Sequence, residues 1–145
     1  MSKDAKSKSE IETGSEFIPR YDGNGLVTAI VCDAQTKTLL MVAHINKEAL
    51  ALTIETGEAH FYSRSRSMIW HKGATSGNVL IVKEMRVDCD QDAVLLLVKT
   101  TGAGAACHTG RKSCFYRQVQ TIGGVSHLEM VDDEPLFDPK KVYNC

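Results

Sequence analysis

Polar or glycine-bearing turns cut the middle of the chain into short apolar runs, and this punctuation limits the fold more than any other feature. "GLVTAIVC" and "TLLMVAH" (25–32 and 38–44) are rich in β-branched and aliphatic residues. The polar turn "DAQTK" separates them, which is the pattern of a hairpin. "AHFYSRSRS", "NVLIVKEMRVD", "AVLLLVKTT" and "CFYRQVQTI" read as further strands. One segment breaks the pattern. "NKEALALTIETG" places a helix-start residue at Asn46, good helix formers behind it, and Gly57 just past the end. The expected fold class is α+β, predominantly β: a compact mixed-strand domain with one clear helix.

A chain of 145 residues suits one domain with a real core. Its net charge of -1 offers no basic excess for a nucleic-acid backbone. No apolar run approaches the ~20 residues that a membrane helix needs. The first residues, "MSKDAKSKSEIETGSE", have no apolar core of the secretory type and carry Asp4, Glu10, Glu12 and Glu16, whereas transit peptides are poor in acids. The expected organisation is a disordered tail over 1–16, a single domain over 17–131 and a weakly structured tail over 132–145. The expected compartment is the cytoplasm.

Five cysteines, Cys32, Cys89, Cys107, Cys114 and Cys145, are an odd number with no export signal. That argues against a disulfide framework and for free thiols or metal ligands. Cys32 lies in an apolar run and reads as a small buried hydrophobe. Cys145 is terminal. Cys107 and Cys114, in "CHTGRKSC", would stand too far apart along a helix to share an ion. Joint ligation therefore requires a folded-back loop, for which "TGRKS" is suitable turn chemistry. With Cys89 as a third thiolate, a zinc site would keep one open position, the mark of a catalytic zinc. The competing reading is three unrelated buried thiols. His108 is a candidate fourth ligand, general base or plain loop histidine.

"VDCDQDAV" raises a second possibility. If it continues the preceding strand, Asp88, Asp90 and Asp92 project from one face and Cys89 from the other. A hard divalent cation such as Mg2+ is the natural counter-charge to such a row, and a solvated acidic edge is the alternative. Three thiolates would leave zinc with a net charge of about -1, so it would acidify a water less than three imidazoles do. Help could come from the second cation or from Arg111, Lys112 and Arg117 around the cysteines. In "YSRSRSMIWHKG", Arg64 and Arg66 are expected to point the same way from a strand, with Lys72 just beyond. Such a set can bind phosphate, or it can be a solvated face.

Taken together and in order, "FYSRSRSMIWHKGATSGN", "VDCDQDAVLLLV" and "ACHTGRKSCFYR" resemble the phosphoribosyl-AMP cyclohydrolase family of histidine biosynthesis, over about residues 20–120. The resemblance implies magnesium at Asp88, Asp90 and Asp92, and zinc at Cys89, Cys107 and Cys114. It also implies an interlocked homodimer in which a zinc site takes ligands from both chains. The implied reaction is hydrolytic opening of the adenine ring of phosphoribosyl-AMP between nitrogen 1 and carbon 6, the third step of the pathway. The two substrate phosphates would give Arg64, Arg66, Lys72 and Arg111 something to hold, and His108, or else His71, would shuttle the proton. Two departures stand out: Ala74 sits where the family usually has an acid, and "TTGAGAACH" is longer than usual. A zinc nucleobase deaminase does related chemistry, but its H-x-E and P-C-x-x-C signature is absent. A structural-zinc module would need a fourth firm ligand and no aspartate row.

Overall fold

The computed structural model describes residues 7–131 and 135–143; Cys145 and the first six residues lie outside that range. Its elements run α1 (Lys8–Thr13), β1 (Leu26–Asp33), β2 (Leu39–Asn46), α2 (Lys47–Thr56), β3 (His60–Ser63), β4 (Met68–His71), β5 (Leu80–Val87), β6 (Ala93–Thr100), β7 (Arg117–Ile122), β8 (Val125–Met130) and α3 (Pro139–Tyr143). The architecture is α+β with mostly strands.

A four-stranded sheet in the order β2-β1-β6-β5 forms the centre. The β1–β2 and β5–β6 pairs are antiparallel, whereas β1 and β6 run parallel. Alternation selects the buried face: Val27, Ala29 and Val31 of β1 lie with Val94, Leu96 and Val98 of β6 in one core. Ala49 and Leu50 of α2 and Phe61 of β3 complete that core, so the helix and the β3–β4 hairpin form the layer against the sheet. Burying Phe61 and its neighbours supplies the main driving force for folding.

The local signals around α2 work as expected. The Asn46 side chain accepts from the Ala49 N–H at 2.8 Å, and Gly57 adopts φ +75° to close the helix. Elsewhere the structure departs from the sequence reading. The N-terminal segment, expected to be disordered, contains α1, closed by a reciprocal capping box between Ser7 and Glu10. "AHFYSRSRS" is not one strand: β3 stops at Ser63, and Arg64 and Arg66 sit in the turn to β4. β5 stops at Val87, so the aspartates are not on a strand. The β7–β8 hairpin turns at Gly123 and Gly124, and β8 was not anticipated. Neither strand of this hairpin is buried, and Val119, Ile122, Val125 and Leu128 are all more than half exposed.

Candidate active site

The aspartates converge because the chain turns. Asp88 Oδ1 accepts from the backbone N–H groups of Asp92 (3.0 Å) and Ala93 (3.1 Å), while the Asp88 N–H donates to the Ala93 carbonyl (3.1 Å). Gln91 takes the left-handed conformation, φ +59°, that this tight reversal demands. One oxygen from each of Asp88, Asp90 and Asp92 then lies within 4.8 Å of the others, the only such group of possible ligands among the described residues. Alternation along a strand, the geometry expected from sequence, plays no part.

Carboxylates this close cannot all ionise freely. Hydrogen bonding to Asp88 and then Asp90 pushes Asp92 up to about 6, while the same contacts, led by Asp92, hold Asp90 down. A trio that retains a proton so near neutrality is short of positive charge, and it fits a hard divalent cation.

Gln91 has a further task. Its side chain is buried, accepts from the Ile18 N–H (2.7 Å), and donates to the carbonyls of Glu16 (3.2 Å) and Ile11 (3.4 Å). Its own carbonyl accepts from Arg20 N–H at 2.7 Å. The N-terminal arm is thereby tied to the acidic turn. Arm and turn together enclose a concavity of about 270 Å³ whose wall includes Asp88 and Cys89.

The second cluster is the cysteine loop, which folds back as its turn chemistry anticipated. Cys107 N–H donates to the Arg111 carbonyl and Gly110 N–H to the Cys107 carbonyl, at 3.1 and 3.0 Å. Cys114 N–H is anchored on the Leu40 carbonyl (2.7 Å) and the Ser113 hydroxyl on that of Leu39 (2.8 Å), fixing the loop to the start of β2. A Cβ on Gly110 would collide with the Phe137 carbonyl, and the Gly110 carbonyl accepts from Leu136. The segment expected to be a loose C-terminal tail therefore braces this loop.

Cys107 and Cys114 are hydrogen-bonded to each other. That bond, helped by the Thr109 hydroxyl at 3.1 Å and opposed by burial, brings Cys107 down to about 5, and the same partner pushes Cys114 up. A thiolate available at neutral pH beside a second thiol fits a soft, zinc-like ion. Cys89 does not join them: within the chain it lies on the arm-lined concavity instead.

Lys72, expected at a phosphate-holding face, is 6% exposed, with its Nζ 5.7 Å over the Trp70 ring. Burial pulls its pKa down, and the charges of Cys114 and Cys107 act against that pull. A cavity of about 580 Å³ opens beside it, lined by Arg66, Trp70, His71, Lys72, His108 and Cys114, with Ala74 also on its wall. Arg64 and Arg66 border a second concavity with His44 and Tyr62, and Arg66 and Trp70 are common to both. Arg111 stacks its guanidinium 4.3 Å from the Tyr116 ring and does not line the cavity beside Lys72.

One participant was not anticipated. Glu58 Oε1 lies 2.7 Å from His71 Nε2, and the His71 ring stacks on His60 at 4.5 Å. Nothing in the sequence marks Glu58 beyond its place just after the helix-closing Gly57.

The sequence profile of the phosphoribosyl-AMP cyclohydrolase family matches residues 41–116, which contain both clusters. The chain belongs to this family. Curated relatives that carry that name include one from Rhizobium leguminosarum bv. trifolii, 56% identical over 99% of this chain and 95% of its own length. One from Sinorhizobium medicae is 58% identical, covering 95% and 91% respectively, and one from Brucella canis is 59% identical, covering 87% and 91%. Membership fits a metal-dependent enzyme, and the aspartate trio could hold a metal ion; no helix among the described residues is long and apolar enough to cross a membrane.

Proposed function

We propose that the chain is a hydrolase that opens the adenine ring of phosphoribosyl-AMP between nitrogen 1 and carbon 6, the third step of histidine biosynthesis in the cytoplasm. The observation that carries this reading is one cavity bringing together Cys114, Lys72 and His108, with Arg66 at its rim, in a chain of this family. The cavity has room for a nucleotide base between cationic side chains, and such side chains suit a doubly phosphorylated ligand.

Cys107 and Cys114, with Cys89, would hold zinc, and Asp88, Asp90 and Asp92 would hold magnesium. Zinc there would supply Lewis acidity for the attacking water, and magnesium would supply positive charge against that of the ligand. His108, exposed on the cysteine loop and lining the cavity, takes a proton from that water. The buried Lys72 ammonium partly offsets the charge of the thiolates, and Arg64 and Arg66 bind phosphate from the β3–β4 turn. Arg111 adds positive charge to the loop.

The working unit is a homodimer with zinc ligands from both chains. Two features support it: Cys89 stands apart from the other two cysteines within one chain, and the β7–β8 hairpin presents unburied apolar side chains.

The test is metal analysis of the purified protein with a turnover assay on phosphoribosyl-AMP. Ring opening adds one water and keeps every nitrogen. Release of ammonia would instead assign a deaminase, and a stable zinc protein without turnover would assign a structural module.

A further inference from the structure

Resting on the reaction proposed above, we infer that His71, oriented by Glu58, is the acid that protonates the departing ring nitrogen. A carboxylate only accepts hydrogen bonds, so the 2.7 Å contact is an Nε2–H donating to Glu58 Oε1. That leaves Nδ1 for other work, and it has no hydrogen-bond partner among the described residues. The ring is held on its other side as well. It stacks on His60 with an interplanar angle of 11°, and His60 Nδ1–H donates to the Glu58 carbonyl at 2.8 Å. Glu58 itself is fixed by the Thr56 hydroxyl, which accepts from its N–H at 3.1 Å, and by its bridge to Ile81. An imidazole constrained at one nitrogen and unpartnered at the other, on the wall of the cavity that holds Cys114 and His108, is arranged for proton transfer.

The reaction needs such a group. Water adds to carbon 6 of the protonated amidine as His108 takes one of its protons and later passes it to solvent. The carbon 6–exocyclic nitrogen double-bond pair settles on that nitrogen, leaving it a neutral amine. When the carbon 6–nitrogen 1 bond breaks, its electron pair goes to nitrogen 1, a poor leaving group unless a proton arrives with the pair. Protonated His71 delivers the Nδ1 proton while Nε2–H stays on Glu58, whose carboxylate offsets the ring's charge until transfer. The remaining proton on the added oxygen passes to solvent as the carbonyl forms, and solvent recharges His71. In this scheme His71 is a catalytic residue and Glu58 a positioning residue.

The experiment uses full-length protein with its metals. His71→Gln keeps a donor for Glu58 and loses the transferring nitrogen, so kcat should fall by about 100-fold with KM nearly unchanged. Glu58→Gln should lower kcat by about tenfold, again with KM nearly unchanged. 15N spectra of imidazole-labelled wild type should show neutral His71 as the Nε2–H form, and Glu58→Gln should mix the tautomers. Wild-type turnover of phosphoribosyl-AMP is measured first, so its absence overturns the reaction itself. With turnover established, wild-type kcat in His71→Gln overturns the inference, as does an Nδ1–H tautomer in the wild type. Should His71→Gln fail to fold, the Glu58→Gln kinetics and the tautomer spectra decide.

Discussion

Asp88 holds the backbone of Asp92: its Oδ1 accepts the Asp92 N–H at 3.0 Å, so the first carboxylate of the turn fixes the position of the last. The two side chains are thereby brought together, and their hydrogen bond leads the shift that raises Asp92 to about 6. A cation entering this trio must displace that proton. Binding and protonation therefore compete: as pH falls through about 6, Asp92 takes up its proton and apparent magnesium affinity should weaken, whereas above that value it should level off. Titrations of Mn2+ as a paramagnetic probe at a series of pH values would show this. Affinity independent of pH between about 5 and 7 would contradict it.

The same linkage has a sign in stability. The folded pKa of Asp92 is raised above the ordinary carboxylate value of 3.8, so the metal-free native state binds more protons than the unfolded chain between that value and about 6. Metal-free protein should lose stability as pH rises through this window, and saturating magnesium should remove the loss. Urea unfolding midpoints with and without magnesium test it.

Asp90→Asn separates the two metals. Hard magnesium favours the carboxylates and softer zinc the thiolates. The variant should keep near-normal zinc, require more magnesium, and turn over at least ~10-fold more slowly, about 1.4 kcal/mol of barrier. Identical magnesium curves and rates would reduce the aspartates to a solvated turn.

Cysteine substitutions should sort by position. Cys107→Ser and Cys114→Ser should each lower zinc content and activity together. Cys32→Ser, half-buried on β1, should leave both nearly intact. If the zinc site is shared, mixing inactive Cys89→Ser and Cys107→Ser subunits should restore part of the activity by rebuilding an intact site. No recovery after demonstrated subunit exchange would place each site in one chain.

Gln91→Ala should release the N-terminal arm. The Ile18 N–H would lose its acceptor, and the carbonyls of Ile11 and Glu16 a donor, at a cost of about 1–3 kcal/mol. Hydrogen exchange should quicken over residues 11–20 while β6 stays protected. Unchanged exchange in the arm would show that other contacts hold it.

Some of this was readable from sequence because it is short-range. The Asn46 cap, the helix stop at Gly57, the turn after β1 and the apolar runs of β1 and β6 depend on residues a few positions apart. The site motifs were likewise visible, since the side chains that could ligate metals are written in the chain. Their geometry was not. Strand alternation was expected to align the aspartates, but hydrogen bonds across the turn and the φ of Gln91 bring them together instead. Arg64 and Arg66 lie in a turn because β3 pairs with β4, a cross-strand partnership that side-chain pattern alone did not reveal. Gln91 orders an arm 73 positions away, and Glu58 reaches His71 across 13. Sequence alone determined which groups were available and where several of the strands and α2 would form. Which groups meet was decided only in the folded chain, because contacts between distant residues form only where the packed core holds both partners in place.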